Sequence, residues 1–178
     1  MRTLKYAILG LLNQNSMTGY DLALQFESAL QEFWSAKHSQ IYPELKKLTE
    51  EKMVCFEVAI TGNVMKKKVY SITKEGKEEF EEWMHQEEKM ESTPKDVFRL
   101  RLFFSNSLPV EERISFIQYQ LAQHQARLNH LKKNQEKFKT IPDRESDEFG
   151  DYMVLMGAVM REETNCQWLN RCLELCRR

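Results

Sequence analysis

Ala36-Lys37-His38-Ser39-Gln40-Ile41-Tyr42-Pro43-Glu44-Leu45-Lys46-Lys47-Leu48-Thr49-Glu50-Glu51-Lys52-Met53 runs directly into Val54-Cys55-Phe56-Glu57-Val58-Ala59-Ile60. Within that stretch the period of the apolar residues changes. Ile41, Leu45, Leu48 and Met53 give one face of a helix from about residue 36 to 53, with Pro43 tolerable only in the first turn or so. Val54, Phe56, Val58 and Ile60 then alternate with Cys55, Glu57 and Ala59 as a strand does. Thr61-Gly62-Asn63 is turn material, and Lys68-Val69-Tyr70-Ser71-Ile72 reads as a second short strand. A helix feeding a hairpin in about 35 residues is a restrictive pattern.

The residues before it narrow the pattern further. Leu4 to Leu12 is almost wholly apolar and predicts a buried helix ending at Asn13-Gln14-Asn15-Ser16. Thr18 then caps a second helix, with Asp21 three residues on as the partner in a capping box. Leu22, Phe26, Ala29, Leu30 and Phe33 give that helix an apolar stripe. Three helices and a hairpin in this order predict a winged helix-turn-helix.

Downstream, Thr73-Lys74-Glu75-Gly76 opens an acidic helix carrying Phe80, Trp83 and Met84. Ser92-Thr93-Pro94-Lys95-Asp96 is both a boundary and a helix start, with Thr93 as cap, Pro94 at the first helical position and Asp96 at the third. The expected division is residues 1–91 and 92–178. Phe98-Arg99-Leu100-Arg101-Leu102 alternates like a strand but reads as helix because of that start. Leu108-Pro109 begins a longer helix with a heptad of Ile114, Leu121 and Leu128 beside Ile117, His124, Leu131 and Phe138, broken by Pro142. A last helix repeats the pattern with Tyr152, Val159, Cys166 and Leu173 beside Leu155, Glu162, Leu169 and Cys176. Seams this apolar favour self-association. The expected fold class is mainly α with a small β-hairpin: a winged helix-turn-helix followed by a helical dimerisation region.

The candidate chemistry sits at the front of the third helix. Lys37, His38, Ser39 and Gln40, then Tyr42 and Lys46, are side chains that reach base edges and phosphates, and a helix N-terminus favours a phosphate. Each alone suits an ordinary exposed helix start; as a set, between that helical order and that hairpin, they point to duplex DNA. Lys66-Lys67-Lys68 falls just before the second strand, where a wing faces the DNA backbone and each lysine neutralises a phosphate. On any other surface turn the same run would be a solvated edge.

Met17-Thr18-Gly19-Tyr20-Asp21-Leu22, Phe33-Trp34-Ser35-Ala36, Ser39 to Leu48 and Lys68 to Gly76 resemble the PadR family of bacterial transcriptional regulators. The resemblance continues through Lys95-Asp96-Val97-Phe98 and Phe149-Gly150-Asp151-Tyr152-Met153-Val154-Leu155, so it spans nearly the whole chain and is closer to the long-tailed members than to the short ones. It implies a homodimeric repressor, dimerised by its C-terminal helices, whose namesake branch controls phenolic acid decarboxylase genes and leaves its operator when a phenolic acid binds. Carried over position by position, Ser39, Gln40, Tyr42 and Lys46 lie on the recognition helix, Thr18 and Tyr20 near the DNA backbone, and Lys66 and Lys67 on the wing. Glu50-Glu51-Lys52-Met53 departs from the family, which usually has a glycine there, and implies a less tightly turned connection into the wing.

An aromatic effector would need aromatic walls and a cationic or donor group. Phe33, Trp34, Phe103, Phe104, Phe149 and Tyr152 suit a pocket between the two halves, although plain core packing is the commoner fate of such residues. His38, beside the Phe33–Trp34 pair, is the economical partner for an aromatic carboxylate. The expected effector residues are therefore Phe33, Trp34, His38 and Tyr152.

Other chemistries fare worse. His38, His85, His124 and His130 share no spacing with a nucleophile, and no glycine-rich phosphate loop or metalloprotease motif occurs. Cys172 and Cys176 share a face, but no Cys-x-x-Cys pair accompanies them, so neither metal nor cofactor is expected. A winged helix used only for protein–protein contact is the remaining alternative. Arg2 and Lys5 before an apolar run mimic a signal peptide, yet Asn13-Gln14-Asn15 follows at once without a small-x-small cleavage site, so a cytoplasmic chain off the membrane is expected. The 178 residues carry a net charge of −1, which taken alone argues against a DNA partner. Residues 1–74 hold ten Lys/Arg against seven Asp/Glu, a net of +3, and the remainder holds 16 against 20, a net of −4. The average conceals a basic front and an acidic rear. An inverted-repeat operator follows from a twofold dimer.

Overall fold

In the computed structural model of the chain, the residues described are 2–28, 30, 33–34, 36–61, 65–90 and 94–178, with the side chains of 60, 61, 65 and 66 excluded. The chain divides into two compact units, Met1–Lys89 and Met90–Arg178.

In the first unit, α1 (Thr3–Gln14) buries Ile8, Leu9, Leu11 and Leu12. A two-residue strand β1 (Met17–Thr18) follows, then α2 (Gly19–Glu27) and α3 (His38–Glu50). The hairpin is β2 (Val54–Thr61) and β3 (Met65–Ile72), and α4 (Lys74–Met84) closes the unit. Ile8, Leu9, Leu22, Phe26, Ile41, Leu45 and Leu48 form the fully buried centre. Each contributes roughly 1.5–3 kcal/mol by leaving water. Tyr6 stacks on Trp83 at 4.6 Å, and Lys5 Nζ and the Tyr6 hydroxyl both donate to Glu79, which fastens α4 to α1. Arg2 ties α1 to α3: Nε donates to the buried Glu44 at 2.7 Å and the two terminal nitrogens donate to Glu51. These bonds, Arg2's above all, hold the Glu51 carboxyl below its ordinary pKa.

The α2 cap forms as expected. Thr18 Oγ1 accepts the Asp21 N–H at 3.1 Å and Asp21 accepts the Thr18 N–H in return. The helix nevertheless stops at Glu27, so the apolar stripe ends with Phe26. Ala29 lies outside the described residues, Leu30 packs on the core from beyond the helix, and Phe33 stands 54% exposed in a turn. Pro43 is the sixth residue of α3, in the second turn rather than the first. The bond it removes is the one to the Ser39 carbonyl, and Ser39 is exposed, where solvation makes that loss cheap.

Two further expectations are corrected in the wing. The sheet has three strands in the order β1-β3-β2, because Met17 and Thr18 pair antiparallel with Tyr70 and Val69. β3 begins at Met65, so Lys66-Lys67-Lys68 lies within the strand, opposite Ile60, Ala59 and Val58. The apolar side of β2 is buried only at its base: Val54 is buried, whereas Phe56 and Val58 are 37% and 53% exposed as the hairpin rises beyond the core. The expected turn at Thr61-Gly62-Asn63 falls largely outside the described residues.

The connection into the wing is tight. Met53 N–H reaches the Leu48 carbonyl at 2.9 Å and Lys52 N–H the Thr49 carbonyl at 3.1 Å, the paired bonds of a Schellman motif. Lys52 takes the left-handed position with φ of 61°, where a glycine is the unstrained residue. The loose turn expected from the missing glycine is thus replaced by a lysine held in a glycine's conformation. Lys52→Gly is expected to raise stability by about 0.5–1 kcal/mol in urea denaturation. An unchanged or lower midpoint contradicts this.

In the second unit, α5 (Val97–Phe103) is capped by Asp96, whose Oδ1 accepts the Arg99 N–H at 2.9 Å. The start expected at Thr93-Pro94 is corrected by that cap; Thr93 lies outside the described residues. α6 (Val110–Gln135) and α7 (Asp147–Cys176) form a long helical hairpin. Phe138 falls after α6 and meets Tyr152 edge-on at 5.5 Å. Leu155, Val159, Cys166, Leu169 and Leu173 bury against Ile117, Leu128 and Leu131 in two adjoining clusters. No helix among the described residues is long and apolar enough to cross a membrane.

Candidate nucleic-acid interface

The exposed face of α3 follows from the burial of the other. Ile41, Glu44, Leu45 and Leu48 turn inward, which leaves Ser39, Gln40, Tyr42 and Lys46 outward. Lys37 is the N-cap of α3, and its N–H is accepted by the Gln40 side-chain oxygen at 3.1 Å. That bond leaves the Gln40 NH₂ donors, and one lone pair of its oxygen, unengaged on the exposed face of α3. Lys46 lies 3.9 Å from Glu50 and is largely exposed, a weak pairing that a phosphate can displace.

Two clefts flank Tyr42. One, of about 610 Å³, is lined by Thr18, Gly19, Tyr20, Tyr42, Lys67, Lys68 and Tyr70. The other, of about 560 Å³, is lined by Tyr42, Lys46, Thr49, Glu50, Phe56, Lys68 and Tyr70. Thr18, Tyr20, Tyr42, Lys46, Lys67 and Lys68 are thereby brought together, with Ser39 and Gln40 on the exposed face of the same helix. The Lys66 side chain lies outside the described residues. Hydroxyls, amides and ammonium groups around an open groove suit a ridged polyanion.

Sequence reasoning missed Gly19, Tyr70 and Phe56. A Cβ on Gly19 would sit 2.6 Å from the Tyr42 ring, so this glycine gives the recognition-helix tyrosine its room. Tyr70 is buried, which lifts its phenol above the usual pKa. Its position two residues from Lys68, on the same side of β3, was the available signal.

Of the expected effector residues, two lie in the connection between α2 and α3 and a third is the first residue of α3. Phe33 is exposed, Trp34 packs partly on the core, and His38 opens α3 with Nε2 3.4 Å from Glu27 Oε1. Tyr152 belongs to α7 in the other unit. Among the described residues no group of His, Cys, Asp or Glu is placed to hold a metal ion.

Comparison with known proteins gives this geometry a setting. Residues 8–82 match the transcriptional regulator PadR-like family, and residues 94–177 match the family described as virulence activator alpha C-terminal. The negative transcriptional regulator PadR of Bacillus subtilis is 41% identical over 178 residues, covering 98% of each chain. The crystal structure of that protein with operator DNA superposes with a TM-score of 0.92, at 41% identity over 98% of this chain and 99% of the other. Its structure with p-coumaric acid gives 0.89, at 40% identity over 99% and 100%. With likeness of that extent in both sequence and structure, this chain belongs to the PadR-like family of transcriptional regulators.

Proposed function

We propose that this chain is a homodimeric, sequence-specific transcriptional repressor that occupies operator DNA and leaves it when a small aromatic carboxylate, such as a phenolic acid, binds. The observation that carries the reading is the end-to-end match to a negative regulator captured with operator DNA. The clefts beside Tyr42 add their cationic and hydroxyl lining to it. Residues 1–91 serve as the DNA-binding domain and residues 92–178 as the dimerisation domain. Ser39, Gln40 and Tyr42 read base edges. Thr18, Tyr20, Lys37, Lys46, Lys66, Lys67 and Lys68 hold the backbone. Phe33, Trp34, His38 and Tyr152 take the effector, and His38 couples it to DNA because it is the first residue of α3. The protein works in the cytoplasm, by occupancy rather than catalysis.

Genomic fragments selected by the purified protein supply the operator, and anisotropy then reads its affinity. A dimer making roughly four to six phosphate contacts loses about 10- to 40-fold in affinity for each doubling of salt. Protection should cover two inverted half-sites about one helical turn apart. Titrating a hydroxycinnamic acid should weaken binding. A flat salt response would instead favour the protein–protein reading, and an affinity indifferent to the acid removes the effector.

A further inference from the structure

Phe56 is a large apolar side chain on the rising part of the wing, beyond the core that buries Val54 at the base of the same strand. Its ring meets that of Tyr70, its direct cross-strand partner, at 5.7 Å and 57°. Lys68 pairs with Val58 and so lies diagonally from Phe56 on the same side of the sheet. Lys68 Nζ stands 4.0 Å from the centre of the Phe56 ring, within cation–π range. Both residues line the cleft that Tyr42, Lys46 and Thr49 of α3 complete.

A free lysine on an exposed strand samples many rotamers, and ordering it against a phosphate forfeits that freedom. The Phe56 ring takes one side of the ammonium, and its remaining donors stay available to a phosphate in the cleft that both residues line. A phosphate approaching α3 meets a charge already in place.

We propose that Phe56 is a positioning residue for operator binding, its ring holding the Lys68 ammonium on the recognition-helix side of the wing for a backbone phosphate. The inference rests on the DNA-binding reading above and adds a residue that itself need not touch DNA.

The test measures operator affinity and its salt slope for wild type, Phe56→Leu, Phe56→Trp, Lys68→Met and the Phe56→Leu/Lys68→Met double variant, with unfolding midpoints alongside. Phe56→Leu should weaken binding roughly 5-fold with the slope kept, and Phe56→Trp should stay within about 2-fold, since indole is the better cation–π face. Lys68→Met should weaken binding and flatten the slope by about 0.9 for each phosphate no longer neutralised. In the Lys68→Met background, Phe56→Leu should have no further effect. An equal loss from Phe56→Leu in both backgrounds assigns the ring to packing and overturns the proposal, as does no loss at all. Lys68→Met changing neither quantity overturns it too while the DNA reading stands. A wild type without DNA affinity overturns both.

Discussion

Gly76→Ala is expected to destabilise the N-terminal unit by about 3 kcal/mol, although the position is helical and alanine is the better helix former by about 1 kcal/mol. The reason is a close approach of two backbones. Thr73 caps α4, its hydroxyl accepting the Gly76 N–H at 3.0 Å. The same hydroxyl donates to the Lys52 carbonyl at 2.8 Å, and the Thr73 N–H donates to the Met53 carbonyl at 3.1 Å. The first turn of α4 is thereby drawn onto the Schellman turn that ends α3. A Cβ on Gly76 would lie 2.1 Å from the Met53 carbonyl oxygen and 2.9 Å from Ile72 Cγ1. Neither neighbour is the free end of a flexible side chain, so relief requires parting the two turns and weakening both bonds, at about 1 kcal/mol each. Gly150→Ala is the contrast: a Cβ there meets nothing within 4 Å in α7, and the change should gain up to about 1 kcal/mol. Urea denaturation read by tryptophan fluorescence measures both. A Gly76→Ala protein within about 1 kcal/mol of wild type contradicts the argument.

That junction also illustrates what sequence can and cannot disclose. Local signals with a covalent spacing were legible: the Thr18–Asp21 capping box, the Thr73 start of α4 and the heptads of α6 and α7 each depend on residues a fixed distance apart in the chain. Features created by a distant segment were not. β1 is two residues long and exists because Val69 and Tyr70 come alongside. Phe56 and Val58 carry the alternation of a core strand, yet the hairpin outgrows the core, and periodicity reports the side of a strand without reporting what covers it. Lys52 concealed a tight turn because the glycine signal was absent while the hydrogen bonds that force the conformation were not. The same division holds for the candidate site. Ser39, Gln40, Tyr42 and Lys46 were legible as the outward face of one helix, whereas Gly19 joins the site only when α2 packs against that helix, and Phe56 and Tyr70 only when the wing does.

The heptad on α7 leads to the second large effect. Positions 155, 159, 162, 166, 169 and 173 alternate in steps of four and three and are all buried; five are Leu, Val or Cys and one is Glu162. Glu162 is 5% exposed, and its Oε2 lies 2.5 Å from His124 Nδ1 while Oε1 lies 3.5 Å from Arg127 Nε. Gln120 Nε2 stands 3.1 Å from His124 Nε2. His124→Leu removes the carboxylate's shortest partner and sets a leucine against a buried acid. Breaking a buried pair from one side costs about 3–5 kcal/mol, and because Arg127 stays within reach the lower end, about 3 kcal/mol, is expected here. Adding Glu162→Leu should return the protein to within about 1 kcal/mol of wild type, because both positions belong to the apolar seam and two leucines fill it without a charge to solvate. The non-additivity is the signature: a single change that harms and a second that rescues identify a polar pair kept for something other than stability. That outcome would assign the pair to fixing the register of α6 against α7, since sliding one helix along the other would strand Glu162 among apolar side chains. The rescued double variant should accordingly unfold with a shallower urea dependence than wild type, as a seam free to adopt neighbouring registers does. A double variant as unstable as His124→Leu alone would contradict the account.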